Sequence, residues 1–71
     1  MEIIIIFPSV HHTLRAEEEL QKTAYRFTVV PVPPFVNEGC GLGLKINGAD
    51  REAIESLLAD KGIEITKAHP L

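Results

Sequence analysis

The sequence predicts a small α+β sandwich, and three observations carry that expectation. The chain is 71 residues long, enough for one domain with a single modest core. Its apolar segments alternate between short β-branched runs and longer stretches of helical spacing. Proline or glycine punctuates most of the junctions between them.

Each element follows in order. Ile3 to Phe7 is a continuous apolar run stopped by Pro8, which reads as a central strand buried on both faces. Ser9 is a good helix N-cap, and a helix is expected from Val10 to about Ala24 with His12, Ala16, Leu20 and Ala24 on one stripe. Tyr25 to Val32 is the second strand, ended by the prolines at 31, 33 and 34, and Pro33 to Gly39 is a loop. Gly41 to Ile46 is the third strand, with Leu42, Leu44 and Ile46 on one face and Gly41, Gly43 and Lys45 on the other. Asn47 or Gly48 opens a second helix whose apolar stripe is Ala53, Ile54, Leu57 and Leu58, and Gly62 suits its C′ position. Ile63 to Thr66 is read as a short fourth strand, and Ala68 to Leu71 as a tail.

The string is β-α-β-β-α-β. Its usual solution is a ferredoxin-like sandwich spanning residues 1–71: a four-stranded antiparallel sheet in the order 4-1-3-2, with two helices on one face. Ile54, Leu57, Leu58, Leu42 and Leu44 are expected in the core. Both isoleucine sets of the first strand are apolar, so one of them should lie on the sheet face that the helices leave open. An exposed apolar strip of Ile4, Ile6, Gly41 and Gly43 would suit a homodimer.

Composition excludes several functions. Net charge is −3 with Lys and Arg scattered, and three Phe and one Tyr form no stacking platform, so nucleic acid is not an expected partner. The opening apolar run is too short to span a bilayer and lacks the basic flank of a secretory signal, so no membrane partner and a cytoplasmic location are expected. One cysteine rules out an internal disulfide, and no Cys/His spacing makes a metal site. No cofactor is expected.

That cysteine, Cys40, is the candidate site. It stands in Glu38-Gly39-Cys40-Gly41-Leu42-Gly43, where a proline-rich loop enters a strand, and glycines bare it on both sides. In the expected topology the start of the third strand lies beside the end of the first, and so beside Ser9. Strand parity would point the thiol toward the helix layer, at the free N–H groups of Val10, His11 and His12. A helix N-terminus stabilises an anion there and favours a thiolate. One of His11 and His12 is expected to face Cys40 as a proton acceptor. Phe35 and Val36, apolar in a loop, are either tucked over the core or a docking surface for a partner.

The residues also resemble the selenium/sulfur carrier protein-like family, small bacterial and archaeal domains. The likeness covers nearly the whole chain. It rests on Phe7-Pro8-Ser9 followed by His11-His12 and Ala16-Glu17, on Val30-Pro31-Val32-Pro33, and most specifically on Gly39-Cys40-Gly41-Leu42-Gly43-Leu44. The resemblance implies that Cys40 carries sulfur or selenium as a persulfide or selenopersulfide. A cysteine-desulfurase-type enzyme would be the donor and a further protein the acceptor, with the chain itself not an enzyme. Two other readings stand beside it: a ligand- or metal-binding module using Cys40, His11 and His12, and a regulatory partner that docks through Phe35, Val36 or the sheet face.

Overall fold

The computed structural model describes residues 1–36 and 41–71. The chain runs through β1 (Glu2–Ile6), α1 (Val10–Gln21), β2 (Phe27–Pro31), β3 (Leu42–Asn47), a 3-10 turn (Gly48–Asp50), α2 (Arg51–Asp60) and β4 (Lys67–Pro70). The four strands form one open antiparallel sheet in the order β2-β3-β1-β4, which read from its other edge is 4-1-3-2. β1 is central because it is the one strand with no polar residue after its first position. Only a position between two neighbours and two layers buries four isoleucines in a row.

Register assigns the two faces. Ile3 lies opposite Ile46, and Ile5 opposite Leu44. These four join Phe7, Ala16, Leu20, Ile54, Leu58 and Ile63 in the main core, so both helices pack on the same sheet face. Leu44, Ile54 and Leu58 are in that core as expected, while Leu57 and Leu42 are only half-buried.

The opposite face departs from expectation. It is not an open apolar strip, because Ile4 and Ile6 are both 0% exposed. Val36 closes over them, with Val30 and Val32 packed alongside, to make a second small core. The prolines end β2 and turn the chain back across the sheet. Burying two isoleucines under that strap removes apolar area from water within a single copy. The surface on which self-association was expected is therefore covered within the chain.

Element boundaries also differ. α1 ends at Gln21 rather than Ala24, because the Thr23 hydroxyl donates to the Leu20 carbonyl at 2.7 Å and accepts the Tyr25 N–H at 3.2 Å. A side chain that bonds the local backbone this way competes with the next helical turn. β2 begins at Phe27 rather than Tyr25, and its closing Pro31 is tolerated because β2 is an edge strand.

The fourth strand is the largest correction: it is Lys67–Pro70, not Ile63–Thr66. α2 ends with Gly62 in the left-handed region (φ 71°), its N–H bonding the Ala59 carbonyl while that of Ile63 bonds Leu58. This turn drops Ile63 into the core as connecting chain, and Ile65 packs against it. The apolar alternation there records burial under the helices rather than sheet pairing. Pairing with β1 starts only where the Thr66 N–H reaches the Ile6 carbonyl at 2.8 Å, and it continues to Leu71 N–H on the Glu2 carbonyl at 3.0 Å. No described helix is long and apolar enough to cross a membrane.

Candidate functional site

The site is built where β1 hands the chain to α1. Pro8 stops the strand, and Ser9 takes an extended conformation (φ −150°, ψ 162°) as the N-cap. Its hydroxyl accepts the His12 N–H at 3.2 Å. The same oxygen lies 2.6 Å from His12 Nδ1. One serine hydroxyl thus fixes both the first turn and the imidazole, which is half-buried over it. The Val10 and His11 N–H groups remain at the open end of the helix. His11 is exposed, so the two histidines do not act as a pair: His12 is tied to the cap and His11 faces solvent.

Thr13, which the sequence reading passed over, is the residue that joins this turn to the sheet. It is fully buried. Its hydroxyl shares one proton between the Ser9 carbonyl at 3.3 Å and the Leu42 carbonyl at 3.4 Å. The expected helix stripe placed His12 on the core side. The observed stripe is Thr13, Ala16 and Leu20. The signal was present in the spacing, since Thr13, Ala16 and Leu20 follow the same three-then-four pattern as apolar residues.

The other wall is the strap. The Val32 N–H bonds the Gly41 carbonyl at 2.8 Å and extends the β2–β3 pairing by one step. The Val36 N–H bonds the Pro33 carbonyl at 2.9 Å, closing a turn with Pro34 and Phe35 at its corner. Val36 is 7% exposed and Phe35 70% exposed. The two therefore separate: Val36 is tucked over the sheet and Phe35 stands out. The Phe35 ring leans on His69 of β4, centroid to centroid 5.7 Å, at 59°. His69 is held in turn by a 2.9 Å contact between Nδ1 and the Pro70 carbonyl.

Gly43 lets the strap close. A Cβ there would stand 2.8 Å from Ile4 Cγ1 and 2.8 Å from the Ile5 carbonyl oxygen. The glycine thus admits the Ile4 side chain beneath the strap, and is not a flat surface for a second copy.

Gly39 and Cys40 lie outside the described residues. The parity argument that aimed the thiol at the helix layer does not carry through Gly41. That residue has φ 91°, off the extended path, and the strand begins at Leu42. Among the described residues no three His, Cys, Asp or Glu side chains come together as a metal site.

A family model described as "Putative Se/S carrier protein-like" matches residues 2–70. No curated protein and no solved structure matches the chain.

Proposed function

Because the chain belongs to the putative Se/S carrier protein-like family, we propose that it carries sulfur or selenium on Cys40 between a donor and an acceptor protein, and is not itself a stand-alone enzyme. One observation carries this reading beyond the family name. The Thr13–Leu42 bond seats the N-terminal turn of α1 on the start of β3, two residues after the only cysteine in the chain. The open donor-bearing end of a helix beside the strand that follows Cys40 in sequence supports the reading, because free N–H groups stabilise an anion brought to them.

The chemistry is a thiol–persulfide exchange. The Cys40 thiolate attacks the terminal sulfur of a donor persulfide. A Cys40 S–S bond forms, the donor S–S bond breaks, and the donor cysteine leaves as thiolate, with no net oxidation. Selenium transfer follows the same balance with an S–Se bond. The lone cysteine suits a carrier, because no second thiol in the chain can resolve the persulfide into an internal disulfide. His11, exposed on the first turn, is assigned to proton exchange with solvent. Phe35, exposed on the strap that leads toward Cys40, is assigned to the partner contact, and the buried Val36 to holding the strap. Gly39 and Gly41 are assigned to leaving the thiol open to approach. The β-α-β-β-α-β order with β1 and β3 central supports a ferredoxin-like assignment for the scaffold.

Intact-mass measurement after incubation with a cysteine desulfurase and cysteine or selenocysteine tests the proposal. A gain of one sulfur or one selenium, lost in Cys40→Ser, is expected. No mass gain from either donor overturns it.

A further inference from the structure

The two edges of the sheet are not equivalent. At the end of β2 the Val32 N–H bonds the Gly41 carbonyl. The β2–β3 register therefore turns the N–H and C=O groups of Thr28 and Val30 inward, toward β3, and those of Phe27 and Val29 outward, with the Pro31 carbonyl. In β4 the Leu71 N–H on the Glu2 carbonyl turns His69 inward and Ala68 and Pro70 outward. Each edge thus carries a proline at a position where the missing donor breaks no bond of the sheet. On β4 this leaves Ala68 as an isolated outward donor. On β2 two outward donors stand in succession, Phe27 and Val29, and no described hydrogen bond outside the sheet engages them.

The β2 strip is closed at both ends. Pro31 has no donor to offer. Tyr25, the next outward position before Phe27, has its N–H held by the Thr23 hydroxyl at 3.2 Å. These two defects match each other when the strip meets its own copy. With a two-fold axis at Thr28, Phe27 lies opposite Val29 of the second copy and Val29 opposite its Phe27, and each pair exchanges two bonds. Pro31 then falls opposite Tyr25 of the second copy, so the absent donor meets the engaged one. An axis at Phe27 or at Val29 instead sets a defect against a free group. The side chains agree with the axis at Thr28. Phe27 and Val29 are half-buried on the helix face and pack against the main core, so their cross-pairing joins two cores. On the other face Thr28 meets Thr28, and Arg26 meets Val30 rather than a second Arg26.

We propose that the chain pairs with a second copy of itself along β2, in an antiparallel contact centred on Thr28 that joins two four-stranded sheets into one of eight strands. The two-fold axis closes the contact, so assembly stops at two copies. The surface is the edge of the sheet, distinct from the face that the Val36 strap covers. The inference uses no part of the carrier reading.

Sedimentation equilibrium of the full chain tests it, at concentrations up to about 1 mM, where so short a strip should associate. A reversible monomer–dimer equilibrium is expected. Thr28 is exposed, so Thr28→Lys leaves the fold intact and sets two ammonium groups across the axis. It should weaken the dimer about tenfold, and less as salt is raised. Ser56→Lys, exposed on α2, adds the same charge away from the edge and should leave association unchanged. Cross-linking reads the register. In a Cys40→Ser background, Thr28→Cys stands at a non-hydrogen-bonded pair, where the two Cα atoms lie about 4.5 Å apart and a disulfide can close. It should form a covalent dimer under mild oxidation, and Arg26→Cys, which faces Val30, should not. A chain that stays monomeric at about 1 mM overturns the proposal, its edge then left to water or to a strand of another protein. A dimer unmoved by Thr28→Lys also overturns it, as does equal cross-linking of the two cysteine variants.

Discussion

The Thr13 hydroxyl lies 3.4 Å from the Leu42 carbonyl, a contact between residues 29 apart in sequence. It ties the first turn of α1 to the first residue of β3, and its donor side, Thr13, is fully buried while Leu42 is half-buried. Replacing Thr13 by valine keeps the shape and deletes the donor. Thr13→Val should therefore lower stability by about 1–2 kcal/mol, the usual result of deleting one partner of a buried hydrogen bond. A urea midpoint equal to wild type would show that the contact contributes nothing.

Gly43→Ala should be more damaging than its single methyl suggests. The new Cβ meets the Ile5 carbonyl oxygen, which belongs to the central strand and cannot step aside cheaply, as well as the Ile4 side chain. A cost of about 1–3 kcal/mol is expected from overpacking. Ile4→Val in the same chain should recover only part of it, because the backbone contact remains. Full recovery in the double variant would place the strain in the side chain alone.

The strap gives a contrast between neighbours. Val36→Ala removes apolar volume from the closed second core and should cost about 1–2 kcal/mol. Phe35→Ala, next to it but 70% exposed, should stay within about 0.5 kcal/mol of wild type. On the carrier reading, Phe35→Ala slows sulfur uptake from the desulfurase while Val36→Ala acts mainly through stability. Thermal melts and transfer rates on the two variants separate these effects. Equal stability losses would mean that Phe35 is a packing residue.

How far the sequence is legible follows from which physical signals are local. The apolar run of β1, the Ser9 cap and the Gly62 turn are each specified by neighbouring residues; the strand lies one residue earlier than expected, at Glu2–Ile6, and the cap and the turn stand where the sequence puts them. The sheet order follows from handedness and crossover rules acting on the element string. The strand at 67–70 is not local in this sense. Lys67, Ala68, His69 and Pro70 show no strand alternation, and only pairing with β1 orders them. The closing of Ile4 and Ile6 under Val36 is likewise invisible, because Val36 is about thirty residues away in sequence and nothing in a proline-rich loop announces where it returns. Thr13 was obscured by its type: a polar residue on a helix stripe reads as solvated until a carbonyl from another strand is found beside it. The Cys40 direction rested on alternation through Gly41, and a glycine is the residue at which alternation most readily breaks.

The helix end beside the start of β3 can be tested without disturbing the fold. Ser9 caps α1 through its hydroxyl, so Ser9→Ala should cost about 1 kcal/mol. Ser9→Asp should not, since aspartate caps as well as serine and its charge suits the helix N-terminus. The two variants separate stability from electrostatics at the thiol. An aspartate carboxylate occupies the positive end of the helix and repels a second anion near it. On the carrier reading, Ser9→Asp keeps wild-type stability but slows both alkylation of Cys40 and its uptake of sulfur, and the slowing shrinks as salt is raised. Rates are to be compared at one neutral pH, with circular dichroism melts on the same samples. Cys40 alkylating at the wild-type rate in a stable Ser9→Asp protein would remove the helix end from the mechanism, leaving the family relationship as its only support.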